Sequence, residues 1–253
     1  MSSSGGTGGP ADATAPSTLL YSISLLLFVG IAGLIFYFLI RKQSRKLQYV
    51  LLLGRNGAGK TALFVKLTQD RSVLTVSSLV QNVGLTKDVM PRDSGREVQL
   101  IDIPGFERIR WDVWETNKGL SKGVIFVVDS VTIGRDSQEC ADILYRILTD
   151  PEIQRRHIPI LVVCNKQDEV TAKDVEVVSD ILEKELNSIR ITKYNPTTKK
   201  GNKSEFLGKV DQDFTFLQLR GNKVSFAKCT ARSDDPDGHE GVEAVVDFLR
   251  TLA

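Results

Sequence analysis

Residues 54–61 read Gly54-Arg55-Asn56-Gly57-Ala58-Gly59-Lys60-Thr61, directly behind the apolar run Tyr49–Leu53 and opening the helical pattern Thr61–Thr68. This is the spacing G-x-x-x-x-G-K-[ST], set between a strand and a helix. The glycines let the backbone wrap close to phosphate oxygens, and the positive end of the next helix faces the same point. Lys60 would reach the β- and γ-phosphates, and the Thr61 hydroxyl would ligate Mg²⁺. Four specified positions recur by chance in roughly one chain in a hundred of this length. The strand–loop–helix setting lowers that further, and it belongs to α/β folds whose ligand sits at the carboxyl ends of the strands.

The rest of the chain agrees. Strands are expected at Tyr49–Leu53, Val98–Ile101, Val124–Val128, Ile160–Val163 and Val224–Ala227, several of them continuous β-branched runs suited to a parallel sheet covered on both faces. Helical spacing without internal proline marks Thr61–Thr68, Ser137–Leu148, Ala172–Asn187 and Gly241–Leu252. The alternation predicts a doubly wound α/β domain with a mostly parallel sheet over residues 48–253. The basic stretch Lys193–Lys209 reads as a mobile loop insertion. Its Asn202-Lys203-Ser204 matches a glycosylation acceptor, but the expected cytosolic side makes that match spurious.

Two further motifs fall at strand ends. Asp102-Ile103-Pro104-Gly105 follows Val98–Ile101. A carboxylate there would hold Mg²⁺ through water, and the Gly105 N–H would report a γ-phosphate. The metal's other switch contact should be a hydroxyl within Thr75-Val76-Ser77-Ser78, with Ser77 and Ser78 favoured. Asn165-Lys166-Gln167-Asp168 follows the run Ile160–Cys164. Asp168 can accept from guanine N1–H and the 2-amino group. Adenine offers neither donor, so the acid would be left unpaired and the wrong base rejected. Lys166 would lie along the base and Asn165 would brace the loops. Cys229-Thr230-Ala231, after Val224–Ala227, would close the base pocket with backbone N–H groups. The cofactors implied are GTP or GDP and Mg²⁺.

Residues 19–40 hold 22 positions without a charge. At about 1.5 Å per residue such a helix spans a hydrocarbon layer of ~30 Å. Residues 1–18 contain no Lys or Arg, whereas Arg41, Lys42, Arg45 and Lys46 follow the run, so the C-terminal side is expected in the cytosol. This favours a retained single span over a cleaved signal. The Gly/Ser/Thr/Pro-rich residues 1–18 form an unfolded luminal tail in this reading. Residues 41–47 form a basic linker reaching at most about 25 Å. A net charge of +2 and the lack of an aromatic-interleaved basic stripe set nucleic acid aside. Cys140, Cys164 and Cys229 lack metal spacing and read as buried thiols, and His157 and His239 as surface or turn histidines.

Together these residues resemble a Ras-superfamily G domain, and the whole chain from residue 19 resembles the beta-subunit family of the signal recognition particle receptor. Proline in third place of Asp102–Gly105, the run Phe126–Ser130, Asn165–Asp168 preceded by cysteine, and Asp213-Phe214-Thr215-Phe216 also carry the likeness. The resemblance implies an Arf- and Sar-like GTPase in the endoplasmic reticulum membrane that binds the N-terminal domain of the receptor alpha subunit when GTP-loaded. It further implies a role in co-translational targeting, with the ribosome or translocon close by. The chain departs from the pattern at Phe106, where Ras-type domains carry a water-orienting glutamine and this family often a histidine. Ser77 stands where family members often have threonine. No catalytic residue is assigned. Trp111 and Trp114 read equally as a partner surface or as helix-packing aromatics. Three readings compete: a slow regulatory GTPase, a docking subunit holding GTP as a structural cofactor, and an Arf-like vesicle-trafficking GTPase. Ser2 and the integral span disfavour the third, and Asp168 disfavours an ATPase.

Overall fold

The structure is a computed structural model that describes residues 21, 25–31, 33, 46–69, 80–86, 96–193, 207–209, 211–219, 221–232 and 241–252. The chain divides into two units, Met1–Arg45 and Lys46–Ala253. The expected tail 1–18, most of the span 19–40, most of the linker 41–47, the hydroxyls of Thr75, Ser77 and Ser78, the centre of the basic insertion and His239 lie outside the described residues. Within 19–40, Tyr21, residues 25–31 and Gly33 are helical and exposed. Among the described residues no helix is long and apolar enough to cross a membrane.

The second unit is built on a six-stranded sheet in the order β2-β3-β1-β4-β5-β6. The strands are β1 (Lys46–Leu53), β2 (Asn82–Leu85), β3 (Arg96–Asp102), β4 (Ser121–Asp129), β5 (Ile160–Asn165) and β6 (Val224–Lys228). Among the described strands only the β2–β3 pair is antiparallel; the other four pairs are parallel. The parallel strands carry continuous apolar runs, Val50–Leu53 in β1 and Val124–Val128 in β4, because both faces are covered there. All six residues of β5 are buried. Alternate residues serve the two faces: Val50 and Leu52 pack with Leu63, Leu67, Val245 and Leu249, whereas Leu51 and Leu53 pack with Trp114, Phe126, Leu144 and Leu182.

The helices are α1 (Lys60–Gln69), α2 (Glu107–Asn117), α3 (Ile133–Leu148), α4 (Pro151–Arg156), α5 (Val175–Lys193) and α6 (Glu243–Thr251). Helices α1 and α6 cover one face, and α2, α3 and α5 the other. The expected strands and helices are all present with shifted ends. Strand β1 starts at Lys46, so the basic linker ends before 47, and α3 starts at Ile133, four residues ahead of Ser137. Strand β2 and helices α2 and α4 are additions. The short α4 forms because Asp150 caps it, accepting from the N–H groups of Glu152 (2.9 Å) and Ile153 (3.3 Å), with proline at the first turn. His157 ends α4 in the left-handed region, its Nδ1 2.8 Å from the Gly221 carbonyl. The basic stretch is held at both described ends. Lys193 closes α5, and buried Arg190 donates to the carbonyls of Leu207 (3.0 Å) and Lys209 (2.8 Å), so Leu207–Lys209 is anchored, contrary to the expectation of a mobile stretch.

The two tryptophans of α2 separate. Trp114 is fully buried and its Nε1 donates to Asp150 Oδ2 at 3.2 Å, which also accepts from Lys118 Nζ at 2.9 Å. It is a core residue. Trp111 is half-buried, with the Arg146 guanidinium 3.8 Å from its ring centroid. Trp114→Ala should cost about 3–5 kcal/mol in urea unfolding of the chain. A loss below about 1 kcal/mol would return Trp114 to the surface reading.

Candidate nucleotide site

Five strand ends converge. At the end of β1 the loop 54–59 turns into α1, and Gly59 has φ +92°, where a Cβ would lie 2.2 Å from Asn165 Nδ2. No other residue type fits that approach. Lys60, at the first turn of α1, is 6% exposed and its Nζ donates to the Arg55 carbonyl at 3.0 Å. Burial pulls the Lys60 ammonium down to about 8, against the opposing pull of nearby Asp102. The ammonium therefore sits inside the glycine loop, desolvated and facing carbonyl oxygen.

Asp102 ends β3. Its Oδ2 accepts from Thr61 Oγ1 at 2.8 Å and from Asn82 Nδ2 at 3.1 Å, while its Oδ1 is buried without a partner among the described residues. Burial raises the pKa of this carboxyl, and the Thr61 and Asn82 bonds oppose the rise. A hard divalent cation takes oxygen ligands, often through water. A buried carboxylate oxygen with free lone pairs, beside a helix-start hydroxyl, suits one. The next residue, Ile103, donates its N–H to the Leu52 carbonyl at 3.0 Å, which ties the segment to β1. Gly105 then lies against the loop, where an added Cβ would come 2.7 Å from Asn56 Cα.

Asn165, at the end of β5, is 2% exposed. Its Nδ2 donates to the Ala58 carbonyl at 2.9 Å, and its Oδ1 accepts from the Ala231 N–H at 3.0 Å. One carboxamide thus joins three loops. Lys166 adopts φ +66° and its Nζ pairs with Asp129 Oδ2 at 2.6 Å. The other Asp129 oxygen accepts from the N–H groups of Val131 (2.9 Å) and Thr132 (3.3 Å). The Lys166 charge is therefore engaged by Asp129. Gln167 fixes the loop from beneath. Its N–H donates to the Cys229 carbonyl at 3.1 Å, and its Nε2 to Ser130 Oγ (2.9 Å) and the Lys173 carbonyl (3.0 Å). Asp168 is exposed at the rim, Thr230 is half-buried, and Cys229 and Ala231 are buried. The Cys164 and Cys229 thiols are pushed up to about 12 by burial, so both are unreactive packing residues.

The structure therefore brings together Gly54–Thr61, Asp102, Gly105, Asn165, Lys166 and Cys229–Ala231, and Ser77 and Ser78 lie outside the described residues. Sequence reasoning missed Asn82, the Gln167 side chain and the role of Asp129. Asp129 carried a signal, a lone acid ending an apolar strand. Asn82 carried none.

An antiparallel edge on a parallel sheet, with a phosphate-type loop and these converging strand ends, is the α/β architecture of an Arf-like small GTPase. The family model described as "Signal recognition particle receptor beta subunit" matches residues 45–224. The mouse signal recognition particle receptor subunit beta is 31% identical over 238 residues, covering 92% of this chain and 87% of the relative. The solved mammalian signal recognition particle receptor aligns with TM-score 0.70 and 32% identity, over 81% of this chain and all of that one (100%). The signal recognition particle receptor SRb-GDP-Mg from Chaetomium thermophilum aligns with TM-score 0.61 and 25% identity, over 83% and 100%. The chain belongs to the signal recognition particle receptor beta-subunit family.

Lys60 makes the ligand-free domain pH-dependent. Its folded pKa of about 8 lies below the ordinary 10.5, so between those values the unfolded chain binds more protons and stability rises with pH. Nucleotide-stripped wild-type protein should gain about 2 kcal/mol in urea unfolding between about pH 7.5 and 9.5 relative to Lys60→Met. Parallel pH profiles for the two proteins would contradict a desolvated ammonium at this point.

Proposed function

We propose that this chain binds GTP and GDP with Mg²⁺ and acts as the membrane-anchored beta subunit of a signal recognition particle receptor, recruiting the alpha subunit in a GTP-dependent way. The observation that carries the nucleotide reading is the Asn165 carboxamide, which holds the phosphate loop and the base loops in one register. In this reading the amides of Gly54, Arg55, Asn56, Gly57, Ala58 and Gly59 surround the phosphates and Lys60 neutralises the β- and γ-phosphates. Thr61 and Asp102 take Mg²⁺, with Ser77 or Ser78 supplying a switch hydroxyl. Gly105 N–H reads the γ-phosphate, Asp168 accepts from the guanine edge, and the backbone of Cys229, Thr230 and Ala231 closes over the base. Bound Mg²⁺ would supply charge neutralisation on the phosphate oxygens.

Anchorage rests on the charge-free stretch 19–40 and the basic residues behind it, which favour one span with the nucleotide domain in the cytosol. Family membership supports a receptor alpha subunit as the partner, and the resemblance implies the endoplasmic reticulum as the membrane and the N-terminal domain of that subunit as the part bound. Phe106, 45% exposed just ahead of α2, has no group to orient an attacking water. Hydrolysis by the isolated chain is therefore slow, and the same residue favours a second reading in which GTP is a lasting structural cofactor for docking. Nucleotide that never turns over in the assembled receptor separates the second reading from the first.

Asp168→Asn should shift preference from guanine to xanthine nucleotides in competition assays; unchanged GTP affinity would remove Asp168 from the base site. Affinity capture of the full chain from detergent-solubilised membranes should retain an alpha-type subunit with GTP and lose it with GDP. Capture indifferent to the γ-phosphate would contradict GTP-dependent recruitment. Single-turnover hydrolysis by the chain alone at about 1 s⁻¹ or faster would contradict the role given to Phe106.

A further inference from the structure

One ionic cluster beside the phosphate loop has no place in the function above. Arg55, second residue of the loop, donates through Nε to Glu139 Oε2 (2.5 Å) and through Nη1 to Asp136 Oδ2 (2.8 Å), both on α3. The other oxygen of Glu139 lies 3.7 Å from Arg110 Nη2. That same Arg110 nitrogen donates to the Gly105 carbonyl, in the segment that faces the γ-phosphate position. The carboxylate of Glu139 therefore stands between two arginines, one on the phosphate loop and one gripping the Asp102–Gly105 segment.

The energetics of Arg110 make Glu139 matter. Arg110 is 2% exposed, and its Nε finds no partner among the described residues. Burial weakens its hold on its proton, and Glu139 heads the charges that restore it. A buried guanidinium without a counter-charge is unstable where it is and moves toward water. Glu139, half-exposed on the first turns of α3, supplies the larger share of that counter-charge from the rim, and Glu107 at the start of α2 a smaller one. Without Glu139 the attraction of Glu107 alone holds Arg110 less firmly, and the donor to the Gly105 carbonyl is weakened. Gly105 already lies against the phosphate loop, its Cβ position 2.7 Å from Asn56 Cα. Its grip by Arg110 preserves that approach before any phosphate arrives.

We infer that Glu139 is a positioning residue that makes the site prefer triphosphate over diphosphate, by holding Arg110 on the Gly105 carbonyl so that Gly105 is set for the γ-phosphate. The inference rests on the nucleotide reading above. It differs from a stability role because GDP has no γ-phosphate to feel the position of Gly105.

The test compares GTP and GDP dissociation constants, with Mg²⁺, for the full chain in detergent. Glu139→Gln should lower the GTP-to-GDP affinity ratio about tenfold, the loss expected when an ion pair that holds a charged donor in place is removed, and Glu139→Asp should restore most of it. Loss of a counter-charge to buried Arg110 should also lower the thermal midpoint of the ligand-free protein, so the diagnostic readout is the ratio of the two affinities, with GTP affinity falling more than GDP affinity. An unchanged ratio, or equal losses for both nucleotides, overturns the inference while leaving nucleotide binding intact. If Glu139→Gln does not fold, Arg110→Met must shift the ratio the same way, because it removes the one nitrogen that joins Glu139 to Gly105 and leaves no buried charge in its place; no shift overturns the inference. Wild-type protein that binds neither nucleotide defeats the underlying reading itself, and is told apart by its failure before any substitution.

Discussion

The carboxamide of Asn165 sets the geometry on which the site depends. It leaves the end of β5 fully covered, gives its N–H to the loop after β1 and takes an N–H from the loop after β6. Each bond alone is worth only about 1 kcal/mol net. Their value is in register, because the phosphate loop and the base loops come from strands separated in the sheet by β4. The same carboxamide occupies the space a Cβ on Gly59 would need. The glycine ahead of Lys60 and the asparagine opening Asn165–Asp168 are therefore two halves of one contact, although they lie far apart in the chain.

Around that contact the site holds charges in a costly state. Lys60 is buried against a carbonyl, and among the described residues buried Asp102 has one oxygen unsatisfied and buried Arg110 one donor idle. A phosphate would meet the ammonium, and a hard cation would meet the carboxylate oxygen. The buried ammonium and the unpaired carboxylate oxygen thus point to what they would bind, and such binding would stabilise the domain. The half-exposed acid on α3 is different in kind, since its partners are both protein arginines. It couples two loops and needs no ligand of its own.

Much of this was legible in the sequence because strand ends carry the chemistry. Glycine spacing, Asp102 and Asn165–Asp168 each follow an apolar run, and parallel strands buried on both faces write such runs plainly. What was hidden lacks that signature. Strand β2 alternates half-exposed and exposed residues around Gly84 on a sheet edge, so it shows no apolar run, and with it went Asn82. Helix α2 is rich in charge and its one fully buried apolar residue is Trp114, so its amphipathic pattern is thin. Helix α4 has six residues, too few for periodicity to register. Arg110 and Glu139 meet only through the packing of α2 beside α3, which no local spacing encodes. Trp114 was ambiguous for the same reason, until its indole was seen to meet Asp150 in the core.

The central claim is that one pocket reads both a phosphate chain and a guanine. It is tested most directly by isothermal calorimetry on the full chain in detergent, stripped of any copurifying nucleotide and titrated with magnesium GTP and then, separately, with magnesium ATP. The account predicts a saturable one-site heat with GTP and none with ATP at the same concentration. No heat with GTP, or equal binding of both, would contradict it.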